Sequence, residues 1–271
     1  MTAPATRQNW SDEVGAPPAY GRCPAPMTPL VLTAHGSKDP RSAANARAVA
    51  GCLARMRPGL DVRLAFCELN APGLVDVLNG LSGVREAVVT PLLLANAYHA
   101  RIDIPGQIAT CATGERGIDV RQAPVLGEDD RLVSVLRQRV AELGVSRFDD
   151  RLGVAVVAIG SSDQAANART AEVARQLAMG TRWAGTTTAF VTRPDASPAD
   201  AVRRLRRQGA RRVVIAPWFL APGLLPDRLG TYARDAGIAM AQPLGAHRLV
   251  AATVLDRYEQ AFKTPADRIA A

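Results

Sequence analysis

Ala34-His35-Gly36-Ser37-Lys38-Asp39, followed shortly by Ala43-Ala44-Asn45-Ala46-Arg47, returns later as Ala158-Ile159-Gly160-Ser161-Ser162-Asp163, followed by Ala165-Ala166-Asn167-Ala168-Arg169. The chain is therefore written twice. Ala65-Phe66-Cys67-Glu68 aligns with Ala189-Phe190-Val191-Thr192. Val88-Val89-Thr90-Pro91-Leu92-Leu93-Leu94-Ala95 aligns with Val214-Ile215-Ala216-Pro217-Trp218-Phe219-Leu220-Ala221, and extending that match pairs His99 with Leu225. The first copy thus has His35, Glu68 and His99 where the second has Ile159, Thr192 and Leu225. Two histidines and a carboxylate make a set that handles metals and protons, and one copy has kept it.

Around these motifs, short apolar runs alternate with longer helical patterns. Leu30–Ala34, Val62–Phe66, Ala87–Leu93 and Asp119–Gln122 read as strands, with helices at Arg41–Met56, Gly73–Leu81, Ile104–Thr113 and Asp129–Leu143. The second copy repeats the order, with strands near Gly153–Ala158, Thr187–Val191, Arg212–Pro217 and Ile238–Ala241. Its helices fall near Ala165–Met179, Pro198–Gln208, Leu224–Asp235 and His247–Ala261. Strand–helix alternation with near-continuous apolar strands predicts an α/β fold of two tandem doubly wound parallel sheets. The expected divisions are a tail at 1–28, a first domain at 29–144 carrying the site, a degenerate second domain at 152–262, and a tail at 263–271. Gly144–Leu152 reads as the linker.

In open parallel sheets, ligands bind beyond the carboxyl ends of the strands. His35 follows the first strand, Glu68 the second, and His99 lies in the loop after the third, so all three fall on one sheet edge. Imidazole and carboxylate suit divalent iron, cobalt, nickel or zinc. Imidazole also accepts protons near neutral pH. Gly36 and Ser37 let the backbone turn sharply and offer amides to an anion. His247 reads as the opening of the last helix, and Cys67 as a small residue on a buried strand.

Composition removes several classes. No apolar run reaches the ~18 residues that span a bilayer, and the first residues lack the apolar core of a signal peptide. Cys23, Cys52, Cys67 and Cys111 include no Cys-x-x-Cys pair, which argues against a structural zinc or iron–sulfur site and for reduced thiols in a cytoplasm. Net charge is +8, yet aromatics are only 4% and no recognition motif appears, so nucleic acid is not the expected partner. Arg203-Arg204-Leu205-Arg206-Arg207 reads as a solvated helix face. There is no phosphate loop and no Gly-x-Ser-x-Gly elbow.

The strand leading into Ala34-His35-Gly36-Ser37-Lys38-Asp39-Pro40-Arg41, with Ala65-Phe66-Cys67-Glu68-Leu69-Asn70-Ala71-Pro72 and with Val88–Leu94 leading to His99-Ala100-Arg101-Ile102-Asp103-Ile104-Pro105, resembles the sirohydrochlorin chelatase family, class II chelatases of tetrapyrrole biosynthesis. The resemblance runs from Leu30 to Ala261 and is weaker in the second half. Asn96-Ala97-Tyr98 replaces a more glycine-rich stretch of the family. The resemblance implies a lyase-type chelatase that inserts Fe2+ into sirohydrochlorin without ATP. Co2+ insertion toward cobalamin and a non-catalytic tetrapyrrole or metal carrier are the alternatives. It implies no permanently bound cofactor, with Fe2+, or else Co2+ or Ni2+, as a substrate. It carries the family's metal-handling positions onto His35, Glu68 and His99, with the two histidines as metal ligands. The absence of a histidine-rich tail favours iron. Sirohydrochlorin is a polycarboxylate, so Gly36, Ser37, Arg41 and Arg101 are the expected substrate contacts. With two domains in one chain, no oligomer is required, and neither nucleic acid nor membrane is an expected partner.

Overall fold

The computed structural model describes residues 28–96, 98–112 and 117–263. Four strands, β1 (Leu30–Ala34), β2 (Val62–Phe66), β3 (Glu86–Pro91) and β4 (Asp119–Gln122), form a parallel sheet in the order β2-β1-β3-β4. β5 (Leu152–Ala158), β6 (Gly185–Phe190), β7 (Arg212–Pro217) and β8 (Ala239–Met240) repeat it as β6-β5-β7-β8. Leu30, Val31 and Leu32 are all fully buried, as a central strand covered on both faces requires.

The helices of the first copy are α1 (Pro40–Met56), α2 (Leu74–Asn79), α3 (Ile104–Ala112) and α4 (Asp130–Ala141). Those of the second are α5 (Gln164–Ala178), α6 (Pro198–Arg207), α7 (Leu224–Asp235) and α8 (Arg248–Lys263). α1 starts one residue before its sequence expectation because Pro40 suits the first helical position and Asp39 caps it. The arginine run lies on α6 with its four guanidinium-bearing residues exposed and Leu205 buried. The expected tails lie almost wholly outside the described residues.

The last helix of each copy packs on the other copy. α4 lies against α5 and β7, whereas α8 lies against α1 and β3, and the two helices touch each other. One apolar cluster accordingly runs through both sheets and includes Leu30, Val88, Leu136, Val154, Val214 and Val254. Polar contacts fasten the exchange. Arg257 of α8 donates to the Val125 and Leu126 carbonyls at 3.0 and 2.8 Å and to Asp129 at 2.9 Å. The Tyr258 hydroxyl donates to Thr28 O at 2.6 Å. Asp129 and His247, at matching positions, cap α4 and α8 by accepting from the Arg131 and Leu249 amides. Burial opposes ionisation of Asp129, but hydrogen bonds from Arg131 and the charges of Arg131 and Arg257 outweigh it and hold the carboxyl at about 2. Burial, with Arg139 nearby, lowers the pKa of His247. Neutral imidazole is the form that can accept at a cap.

Strand order reverses between β1 and β3, and again between β5 and β7. Such switch points open a crevice at the carboxyl ends of the strands. His35 leaves β1 and His99 follows β3, so both stand at the first crevice. Ile159 and Leu225 stand at the second.

Candidate active site

The chain turns immediately after β1. Gly36 adopts φ +101°, and a Cβ there would lie 1.8 Å from the Glu68 carbonyl oxygen, so only glycine allows this approach. Backbone bonds fix the turn: Cys67 N–H donates to Ala34 O at 2.9 Å and Glu68 N–H to His35 O at 3.0 Å. The Ser37 amide donates to Asn70 Oδ1 at 2.7 Å, and Ser37 Oγ accepts from the Asp39 amide at 3.0 Å. The loop amides expected to receive a substrate anion are therefore partly committed to the Asn70 side-chain oxygen and the Ser37 hydroxyl.

His99, expected in a loop, instead opens a π-helical turn, His99–Asp103, that runs into α3. The cause is local. Pro105 has no N–H, and its ring would crowd the Arg101 carbonyl in a regular helix. The Ile104 amide bonds back to His99 O, five residues earlier. Gln122 Nε2 steadies the turn by donating to Ala100 O at 2.7 Å. The turn sets Asp103 against His99, with Oδ2 2.5 Å from Nδ1. Asp103 is the functional residue that the sequence reading missed. Its signal was the four-residue spacing His99-Ala100-Arg101-Ile102-Asp103, which matters only if that stretch is helical.

The two imidazoles meet edge to face. Their Nε2 atoms are 2.8 Å apart, with ring centroids 3.9 Å apart and planes at 75°. His35 Nδ1 faces Gly36 O at 3.1 Å and Glu68 Oε1 at 3.4 Å. His99 Nδ1 faces the Asp103 carboxylate. A carbonyl and two carboxylates can only accept, so the partners assign a proton to each Nδ1. The two Nε2 atoms then share one further proton. Without it, two lone pairs converge, the arrangement a first-row cation requires.

Two bonds of about 2.1 Å at a tetrahedral angle put ligand nitrogens roughly 3.4 Å apart, so the rings need only part slightly. Glu68 and Asp103 sit on the Nδ1 sides, behind the imidazoles, and neither joins the Nε2 lone pairs. Among the described residues no three His, Cys, Asp or Glu side chains converge on one metal position. A closed structural metal site has four protein ligands. A pair of imidazoles suits an ion in transit. Burial, helped by Asp103 and Glu68, pushes the Cys67 thiol up to about 11, which keeps it protonated and removes it as a nucleophile.

The histidines open into a cavity of about 650 Å³ between the two copies. Gly36 and Ser37 line it, as do Leu92, Leu93 and Leu94 from the first copy and Ile159, Phe190, Trp218 and Leu225 from the second. Among the described residues no Arg, Lys, Asp or Glu lines it. Arg41 and Arg101 lie outside its lining and already have partners in the second copy. Arg41 bridges Asp39 and Asp227 at 2.5 Å each, and Arg101 approaches Asp163 at 3.6 Å. Glu68 also lies outside the lining and is more than half exposed.

Two tandem doubly wound domains of the chelatase-like kind, with a histidine pair at the crevice between them, define the class. The CbiX family model matches residues 29–143 and again 153–261, and the chain belongs to that family. It is 26% identical over 208 residues to a sirohydrochlorin ferrochelatase of Priestia megaterium, covering 75% of this chain and 77% of that one. It is equally 26% identical over 211 residues to a sirohydrochlorin cobaltochelatase of the same organism, covering 75% and 67%. The solved structure of SirB from Bacillus subtilis with Fe3+ shares the fold, with a TM-score of 0.76 at 21% identity over 87% of this chain and 96% of that one.

Proposed function

We propose that this chain is a sirohydrochlorin chelatase that inserts Fe2+ without ATP, with His35 and His99 as ligands and proton carriers. The observation that carries the reading is the His35–His99 pair, whose Nε2 atoms face each other at 2.8 Å at the wall of an interdomain cavity. The relatives named for sirohydrochlorin supply the substrate class.

The protons balance. The resting pair holds one shared proton, which leaves as the divalent ion takes both Nε2 lone pairs. Metal insertion displaces two pyrrole N–H protons from the macrocycle. As the ion passes to the pyrrole nitrogens, the freed imidazoles recover one proton and the other leaves to solvent. Two protons are thus released for each ion inserted, and the site returns to its starting state. Asp103 and Glu68 hold the Nδ1 protons in place so that both Nε2 atoms keep facing the ion. The reading sets the reaction in the cytoplasm and needs no second chain. Among the described residues no helix is long and apolar enough to cross a membrane.

Fe2+ follows from the chelatase resemblance, whereas relatives of equal identity are named for iron and for cobalt. The deciding experiment is anaerobic insertion into sirohydrochlorin with Fe2+, Co2+ and Ni2+ in parallel, with His35→Ala and His99→Ala beside the wild type. The expected result is turnover fastest with Fe2+, reduced on the order of 10²–10⁴-fold in either variant with unchanged melting. Faster turnover with Co2+ reassigns the metal. Stoichiometric binding without turnover makes the protein a carrier, and near-wild-type variants remove the histidines from the site.

A further inference from the structure

Of the second copy's replacements, Leu225 packs in part against that copy's core, but Ile159 is not where a degenerate core would put it. Ile159, at the position of His35, is 47% exposed, and Leu224, beside the counterpart of His99, is 61% exposed. Ile159, Leu224 and Leu225 all line the cavity whose other wall carries the histidines. Behind them Trp218 and Phe219 stand where the first copy has Leu92 and Leu93, which enlarges the apolar wall. An isoleucine left half exposed at the end of a strand gains the rest of its burial only if something apolar covers it.

The occupant is constrained by the same wall. Among the described residues the lining has no formal charge apart from the histidines, while charged groups begin at Arg41–Asp227 and Arg101–Asp163, outside the lining. Carboxylates buried without partners are costly. A ligand that fits therefore has a flat apolar centre and puts its charges at the rim, which describes a polycarboxylate macrocycle. Resting on the chelatase reading, we infer that Ile159 and Leu225, with Leu224, form an apolar counterface that supports one face of the macrocycle while the His35–His99 pair addresses the other. The two copies then divide the work by face. Ile159 and Leu225 are positioning residues and touch no metal.

The test is Ile159→Ser, Leu225→Ser and the conservative Ile159→Val, each compared with the wild type in three measurements. These are sirohydrochlorin affinity by the change in its visible absorbance, steady-state insertion, and binding of Co2+ alone by its visible d–d bands. Ile159 is half exposed, so its serine variant keeps the fold, checked by thermal melting. The expected result is a roughly tenfold loss of sirohydrochlorin affinity and a matching rise in KM for each serine variant. Co2+ binding stays as in wild type, melting stays so for Ile159→Ser, and Ile159→Val regains wild-type affinity. Serine variants that bind sirohydrochlorin as tightly as wild type overturn the counterface while leaving the chelatase reading standing. Wild-type protein that neither binds sirohydrochlorin nor inserts metal overturns the chelatase reading itself.

Discussion

The turn after β1 and the turn after β5 are built from the same backbone bonds. Glu68 N–H donates to His35 O at 3.0 Å, and Thr192 N–H donates to Ile159 O at 3.0 Å. Leu92 N–H to Thr33 O and Trp218 N–H to Val157 O are both 2.8 Å. Gly36 and Gly160 sit at φ +101° and +97°, and Asp39 and Asp163 both cap the helix that follows. What differs is the chemistry hung on that frame. Asp103, which holds His99, is matched by Leu229, buried on α7. Pro105 is matched by Thr231, and α7 begins as a regular helix where the first copy makes its π-turn. The second copy shows that neither histidine is needed to make the fold.

The comparison breaks most sharply at the two glycines. A Cβ on Gly36 would meet the backbone oxygen of Glu68 at 1.8 Å, whereas one on Gly160 would meet the Thr192 hydroxyl at 2.8 Å. A backbone atom cannot step aside as a side chain can. Gly36→Ala is expected to displace the Glu68 turn and abolish insertion. Gly160→Ala should show mainly the left-handed backbone penalty, about 1–2 kcal/mol, and keep most activity. Melting and turnover of both variants check this, and equal losses would mean the two turns are not differently constrained.

Asp103→Asn sharpens the account of the histidine pair. The amide keeps the shape but holds the His99 proton less firmly, and loss of such a partner commonly costs about 10–100-fold in metal affinity or activity. Turnover should fall by that amount with little change in sirohydrochlorin affinity. A pure KM effect would make Asp103 a substrate contact.

The smallest expected effect compares the caps of the exchanged helices. His247 has a folded pKa below the ordinary 6.5 of an imidazole, so its contribution is present above about that pH and declines as pH falls through the folded pKa. Asp129 has a folded pKa of about 2 against 3.8, so its contribution persists above 3.8 and is lost between there and about 2. Acid unfolding should therefore weaken the protein in two stages. Thermal melting from pH 8 to 2 should show His247→Asn flattening the first stage and Asp129→Asn the second. A single stage in wild type would refute the paired caps.

Much of the fold was legible because periodicity is a local property. Apolar strands, capped helices and the internal repeat all lie within short windows, and every strand end fell within two residues of expectation. His35 was legible for the same reason, since it adjoins a strand end and a glycine. The exchange of α4 and α8 was not, because both helices present an apolar stripe and nothing in a stripe says which sheet will cover it. Arg41 and Arg101 read as free cations until the fold brought Asp227 and Asp163 to them.

The sequence by itself determined two copies of one α/β frame and placed a histidine–carboxylate set in only one of them. Both facts follow from residue order, which survives unfolding. Tertiary structure alone decided the rest. It turned His99 and His35 toward each other at 2.8 Å, put Asp103 behind one and Glu68 near the other, and set an uncharged wall of the second copy around the same cavity. These contacts join residues distant in the chain, and their geometry is fixed by strand order at the switch points, which no local pattern specifies.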